Sequence, residues 1–270
     1  MEKMARSGLG PLEARFLSKL SAEIRGEVFT FSEAKALLKL SGRSLANLLY
    51  RLVESRWVEH IERGRYLLLP LDAGPAAEYA TNPLIIARKL ASPYYIGFAT
   101  ALNYYGITEQ ASGITYIATI RQKKTLHFHS DEYKFVTLAE KRFFGMKEEW
   151  IGNLKFNISE KEKTIVDCLF MPEYCGGLTE VVKAFKDEID YGKLYEYTLR
   201  MEDRSVIKKL GYLLDVLNLN PEIAEKLREK VGGGFALLDP SGRKSGRVMV
   251  VNKKWRIIEN ISVSDLEVEL

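Results

Sequence analysis

Between Val28 and Pro70 the spacing of apolar residues changes character twice. Ala34, Leu37 and Leu38 form the stripe of one short helix. Leu45, Leu48, Leu49, Leu52 and Val53 repeat at i, i+3, i+4 and i+7, the period of an amphipathic helix over about Arg43 to Glu54. Trp57 to Ile61 and Arg65 to Leu69 then alternate or run apolar around Glu62-Arg63-Gly64, which predicts two strands joined by a tight turn. Helix, turn, helix and hairpin in this order predict a winged helix-turn-helix. Thr30 or Ser32 is the expected N-cap of its first helix, with Glu33 closing a capping box on Thr30. Lys39-Leu40-Ser41-Gly42 is the expected turn, with Gly42 in the conformation that other residues resist. Upstream, Leu12, Phe16, Leu17, Leu20 and Ile24 mark a helix from Pro11 to about Arg25 that packs behind the pair.

After Pro70 the pattern breaks into Leu71-Asp-Ala-Gly-Pro-Ala-Ala-Glu78, a stretch of small residues, Gly and Pro. The expected division is a DNA-binding domain over 1–70, a linker over 71–82 and a second domain over 83–270. Asn82-Pro83 is a helix start, with Pro83 in the first turn. Helices are also predicted over Tyr95 to Tyr105 and from Ser159, where Ser159 and Glu162 suit a capping box. Further helices fall over Leu178 to Glu188, Tyr191 to Met201, Arg204 to Leu217 and Pro221 to Val231. Strands are expected at Ile114 to Ile120, Thr125 to His129, Tyr133 to Thr137 and Asn153 to Ile158. A small terminal sheet is expected from Phe235 onward. The fold class is α+β: an N-terminal winged helix-turn-helix followed by a larger, helix-rich α+β domain.

Length and composition narrow the class. With 270 residues, 46% hydrophobic and 28% charged, the chain can build two ordinary cores and is not a disordered sequence. Its net charge of +4 is compatible with nucleic acid and too mild to identify it. No apolar run approaches the ~20 residues of a membrane span, and MEKMARSGLG has no signal-like apolar core, so a cytoplasmic protein is expected. Cys168 and Cys175 are accordingly expected as reduced thiols.

Charge placement says more. The polar face of the second helix carries Arg43, Ser44, Asn47, Tyr50 and Arg51, and Arg63 and Arg65 flank the hairpin turn. Arg43, Ser44 and Asn47 are the expected readers of base edges, and Arg51, Arg63 and Arg65 the expected phosphate contacts. Elsewhere the chemistry is thin. His127, His129 and Asp131 share a strand phase, but no further ligand at metal spacing accompanies them, so no metal or cofactor is expected. Gly232-Gly-Gly234 lacks the Lys-Ser/Thr of a P-loop and follows a helix instead of opening one, so it reads as a helix-ending loop. Asp167 and Cys168 have no assignable His base, and nothing in the sequence argues for catalysis.

Several segments carry a family resemblance. Tyr94-Tyr-Ile-Gly-Phe-Ala-Thr-Ala-Leu-Asn-Tyr-Tyr-Gly-Ile-Thr108 resembles a segment of the AbiEi family, the antitoxin and regulator components of type IV toxin–antitoxin systems. Ile158 to Leu169 followed by Pro172-Glu-Tyr-Cys-Gly-Gly177 is the most specific match, and Lys208-Lys-Leu-Gly-Tyr-Leu-Leu214 and Arg63-Gly-Arg-Tyr66 are similar to two others. Gly97 and Thr100 stand where small hydroxyl residues are expected. The resemblance implies a repressor that binds inverted repeats of double-stranded DNA in its own promoter; one winged module covers only a half-site, so two copies are expected there. The resemblance also implies an antitoxin that counteracts a nucleotidyltransferase-like toxin without a stable complex. Read physically, the Ser159 to Leu169 segment fits a scaffold better than an active surface. Two alternatives stay open: a ligand-sensing regulator, and a DNA-targeted enzyme.

Overall fold

A computed structural model describes residues 6–23, 28–70, 73–74, 81–109, 113–240 and 250–261. The described residues form an α+β protein with ten α-helices and three sheets. Two units are distinguished, one of residues 1–92 with 149–156, the other of 93–148 with 157–270.

The N-terminal unit begins with α1 (Pro11–Glu23), β1 (Val28–Thr30), α2 (Phe31–Leu38) and α3 (Gly42–Glu54). The hairpin β2 (Val58–Glu62) and β3 (Arg65–Leu68) follows, and then α4 (Pro83–Leu90). The strands lie in the order β1-β3-β2, antiparallel throughout, with Val28 opposite Leu67. Phe16, Leu20, Phe29, Ala34, Leu45, Leu48, Leu49, Leu52 and Val58 form its core. Leu12, expected on the buried side of α1, is exposed. Thr30 and Glu33 form the expected capping box, with Glu33 N donating to the Thr30 hydroxyl at 3.1 Å. The turn between the helices is closed differently from the expectation. Lys39, not Gly42, takes the left-handed conformation (φ 54°), and Gly42 is already the first residue of α3 behind its N-cap Ser41. Most of the expected 71–82 linker lies outside the described residues. Helix α4, expected in the second domain, groups with the N-terminal unit because it packs on β1.

The second unit is built on strands of a six-stranded mixed sheet in the order β6-β7-β5-β4-β9-β8, of which the tip of the β8–β9 hairpin, 149–156, is grouped with the first unit. Its strands are β4 (Tyr94–Ile96), β5 (Ile114–Thr119), β6 (Leu126–Phe128), β7 (Asp131–Thr137), β8 (Met146–Ile151) and β9 (Leu154–Ser159). The helix expected over 95–105 divides into strand β4 and helix α5 (Phe98–Tyr104). The aromatic run Tyr94-Tyr95 suits a buried strand as well as a helix, and the sheet decides. Helices α6 (Lys161–Phe170), α7 (Leu178–Val182), α8 (Tyr191–Arg200), α9 (Arg204–Val216) and α10 (Pro221–Arg228) follow. The chain closes on a small sheet of β10 (Ala236–Leu237), β12 (Ile257–Glu259) and β11 (Val250–Asn252), in that spatial order.

Helix α6 is buried on every side from Glu162 to Leu169, although three of those residues are ionisable. Its polar groups are therefore spent inside the unit. Lys163 and Asp167 form an ion pair one turn apart, both fully buried, and the Tyr95 hydroxyl donates to the same carboxylate at 2.7 Å. The expected capping box of Ser159 and Glu162 does not form. Ser159 Oγ pairs instead with Thr164 Oγ1 at 2.6 Å, and Glu162 accepts from the Asp190 amide at 3.1 Å. Lys209 of α9 donates to the Leu169 carbonyl at 2.8 Å, capping the helix end. Cys168 and Cys175 are joined in a disulfide with Cα atoms 5.8 Å apart, in place of the expected free thiols; the turn after α6 brings the second cysteine back beside the first.

Burial pulls the Lys163 ammonium down and pushes the Asp167 carboxyl up, and their mutual attraction offsets only part of this. Removing one partner strands the other in an apolar surround. Asp167→Asn is thus expected to lower unfolding free energy by about 3–5 kcal/mol, and Lys163→Met/Asp167→Leu by clearly less, in urea denaturation. Equal losses in the two proteins would show that the pair is not what holds α6.

Candidate nucleic-acid interface

Helix α3 divides cleanly into two faces. Leu45, Leu48, Leu49 and Leu52 are buried, and Arg43, Ser44, Ala46, Asn47, Tyr50 and Arg51 are exposed. Arg43, Asn47 and Arg51 are spaced four apart, so they rise along one side of the helix. Ser41 starts the helix by accepting from the Ser44 amide at 3.2 Å, and the Ser41 and Ser44 hydroxyls are 2.9 Å apart. Tyr50 is 66% exposed, more than any other large aromatic residue among those described, and it stands on this polar face. An aromatic ring left outside a core with room for leucines is a signal that the arginine-led reading of the face undervalued.

The hairpin is fixed to the same elements. Gly64 turns it with φ 75°, and its carbonyl accepts from the Phe31 amide at 2.8 Å, the first residue of α2. Phe29 stacks on Tyr66 with ring centroids 5.6 Å apart, holding β3 against β1. Arg63 is exposed at the tip.

The six expected contact residues are not equivalent. Arg43, Asn47 and Arg63 are exposed and make no side-chain hydrogen bond or ion pair with any described residue. Arg51 pairs with Glu13 of α1 at 2.9 Å while remaining about half exposed. Arg65 pairs with Glu62 at 2.9 Å and donates through Nε to the Lys89 carbonyl of α4, so it is committed to the scaffold. The Ser44 hydroxyl is engaged with the cap.

Glu33 ties this module together. Burial alone would raise its pKa, but hydrogen bonds from Lys89 and from the Thr30 amide and hydroxyl carry the carboxyl below its usual 4.5. A depressed folded-state pKa adds stability that is present above pH 4.5 and is lost as pH falls through the lower folded value.

Other candidate chemistry is dispersed. His129 lies in the turn after β6 with φ 55°, so the alternation that would align it with His127 stops there. Among the described residues no group of three or more His, Cys, Asp or Glu is arranged to hold a metal ion. The disulfide removes both thiols as nucleophiles. No helix among the described residues is long and apolar enough to cross a membrane.

No family model matches the chain. It is similar to a CRISPR-associated endoribonuclease Cas6 2 of Methanocaldococcus jannaschii. The two are 25% identical over 150 residues, which cover 53% of this chain and 61% of the relative, about three-fifths of that protein's length.

Two outcomes follow from the geometry. In Glu33→Gln the loss of melting temperature between pH 5 and 3 should be shallower than in the parent protein; parallel curves would remove Glu33 from the acid response. Arg65→Ala should lower unfolding free energy by about 1–2 kcal/mol, whereas Arg63→Ala should change it by less than about 0.5. Comparable losses in urea denaturation would place Arg65 at the surface with Arg63.

Proposed function

We propose that the chain is a sequence-specific DNA-binding autorepressor whose N-terminal unit works as a winged helix-turn-helix. The observation that carries this reading is the pair Arg43 and Asn47, exposed, uncommitted and one turn apart near the start of a helix whose other face is buried. Arg pairs with guanine and Asn with adenine in the major groove through two hydrogen bonds each, which is how a helix presented in this way reads sequence. Ser44 lies between them, and Tyr50 one turn on can cover a thymine methyl or a sugar. Arg63 at the hairpin tip holds phosphate. Arg51 joins it by exchanging Glu13 for a phosphate, and Arg65 positions the hairpin without touching DNA. One module covers a half-site, so two copies occupy an inverted repeat.

The resemblance to the AbiEi family extends this to an antitoxin role for the second unit, countering a nucleotidyltransferase-like toxin in the cytoplasm without a stable complex. In this reading the protein is not an enzyme and needs no cofactor. The likeness to an endoribonuclease favours a second reading, in which the chain binds and processes RNA. Incubation with a hairpin RNA separates the two: cleavage by the purified protein supports the second reading, and intact RNA with retained duplex DNA binding supports the first.

The deciding measurement is binding to the protein's own upstream DNA and to scrambled duplex across a salt series. Asn47→Ala should cost about 1–3 kcal/mol on the upstream fragment and far less on scrambled DNA, while Arg63→Ala should weaken both and reduce the salt slope by about one. Equal losses on both duplexes for Asn47→Ala would remove it as a base reader. No preference of the parent protein for the upstream fragment would overturn the autorepressor reading.

A further inference from the structure

Away from the N-terminal unit, three cations gather around the Gly232-Gly-Gly234 loop that follows α10. Lys208, on the buried side of α9, donates to the carbonyls of Gly233 and Gly234, each at 2.8 Å. Arg204, one turn earlier on α9, lies against the loop: a Cβ on Gly232 would stand 3.0 Å from its Nε and 3.2 Å from Cζ. Arg256 approaches from the turn between β11 and β12, with Nη1 3.9 Å from where a Cβ of Gly233 would be. A side chain at Gly232 would crowd the Arg204 guanidinium, whereas Arg256 lies at ordinary contact distance from Gly233.

Several cations at the surface of this unit face a carboxylate, while others among the described residues stand alone. Lys254 meets Asp215 at 2.6 Å, Lys226 meets Glu222 at 2.6 Å and Arg228 meets Glu225 at 2.7 Å. Arg204 and Arg256 are exposed and have no such partner among the described residues. The nearby carboxylate, Asp203, is already taken by Arg142 at 3.3 Å and by the Ser205 amide and hydroxyl. The crowding is felt at Lys208, whose pKa is lowered first by burial and then by Arg256 and Arg204.

The main chain of the loop carries donors as well. In a planar trans peptide the C=O and the following N–H point in opposite directions. Lys208 holds the carbonyls of Gly233 and Gly234 inward, so the amides of Gly234 and Phe235 are turned away from it. Neither donates to a described residue. Gly232 and Gly234 hold φ 64° and 70°, the left-handed turns found in main-chain anion cradles. Phe235, the next residue, is 56% exposed at the mouth of the loop, and β10 is pinned beside Arg256 by the Ala236 amide on the Arg256 carbonyl at 3.0 Å.

We propose that this loop, with Arg204 and Arg256, binds the phosphate of a nucleotide, and that the Phe235 ring receives the base. Two guanidinium groups and two outward amides match the tetrahedral oxygens of a phosphate, and charge-assisted bonds of this kind are the strong ones. An exposed aromatic ring beside them is the usual partner of an unpaired base. Lys208 is a positioning residue that sets the loop from behind. The ligand is either a free nucleotide or a single-stranded nucleic acid, which share this chemistry.

The test titrates the full-length protein with inorganic phosphate, ATP and a labelled oligothymidylate, comparing the parent with Arg204→Gln/Arg256→Gln and with Phe235→Ala. Both substitutions are at exposed side chains, and unchanged melting temperatures establish that the variants are folded. Saturable binding of ATP or oligothymidylate is expected, reduced about tenfold or more in the double variant. Phe235→Ala should weaken the nucleotide and leave inorganic phosphate unaffected. ATP bound as well as oligothymidylate identifies the free nucleotide as ligand; oligothymidylate alone identifies the single strand. The oligothymidylate arm is repeated in Arg43→Ala/Asn47→Ala protein, where binding through the loop persists. Absence of saturable binding at millimolar ligand, or equal affinity in the double variant, would overturn the site. Operator binding is read separately through Arg43 and Asn47, so either assignment can fail alone.

Discussion

Helix α6 is buried all round, and its opposite charges are paired with one another inside the unit. Lys163 and Asp167 stand at i and i+4, the Tyr95 hydroxyl completes the carboxylate, and the ammonium also lies 4.6 Å from the centre of the Phe144 ring. An unpaired charge at this depth would cost several kcal/mol, comparable to the whole stability of an ordinary domain. The neighbouring elements are fixed by the same set of bonds. Tyr95 ties strand β4 to the helix, Ser159 and Thr164 join β9 to its first turn, and Lys209 joins α9 to its last. The disulfide then anchors the turn that follows. The polar groups of this segment are thus used largely for internal bonding that ties its neighbours together.

The N-terminal unit solves the opposite problem. Its core needs only one face of α3, four leucines, and the other face is left to solvent. Which of the exposed side chains remain available is set by their neighbours. Glu13 reaches Arg51, Glu62 and the Lys89 carbonyl claim Arg65, and no described residue claims Arg43, Asn47 or Arg63. Side chains without internal partners keep their full hydrogen-bonding capacity for another molecule, which is the physical content of an interface read from an unbound protein.

The difference between the two units explains what could be read from sequence. A half-buried helix writes its period into the chain, so α1, α3 and α10 are visible, as are the Thr30–Glu33 and Asn82–Pro83 starts. A helix buried on all sides has no such period. The Ser159–Glu162 spacing therefore suggested a cap, while both side chains were drawn to partners at Thr164 and Asp190 that local sequence does not reveal. Strands β4 and β8 were hidden for a related reason: neither the three residues of β4 nor the charged run Lys147-Glu148-Glu149 of β8 gives an alternation of apolar and polar positions. The commitments of Arg51 and Arg65 depend on residues 38 and 24 positions away, so composition of the face could name the candidates and not rank them.

Gly211 shows how a family-like motif can be satisfied by packing alone. In the middle of α9 a glycine costs about 1 kcal/mol relative to alanine. Here a Cβ would stand 2.0 Å from Cζ3 of Trp255, whose fully buried ring lies across the helix and whose Nε1 donates to Asp215 at 3.0 Å. Seating that indole removes well over a hundred Å² of apolar surface from water, worth several kcal/mol, so the glycine is favoured despite its helix cost. The same reasoning covers Lys208 and Lys209 beside it, each spent on main-chain carbonyls. Segments that carry the family resemblance in this unit are thus largely those whose residues are consumed by the fold. The side chains the fold does not use lie elsewhere, among them Arg43, Asn47 and Arg63 in one unit and Arg204, Arg256 and Phe235 in the other.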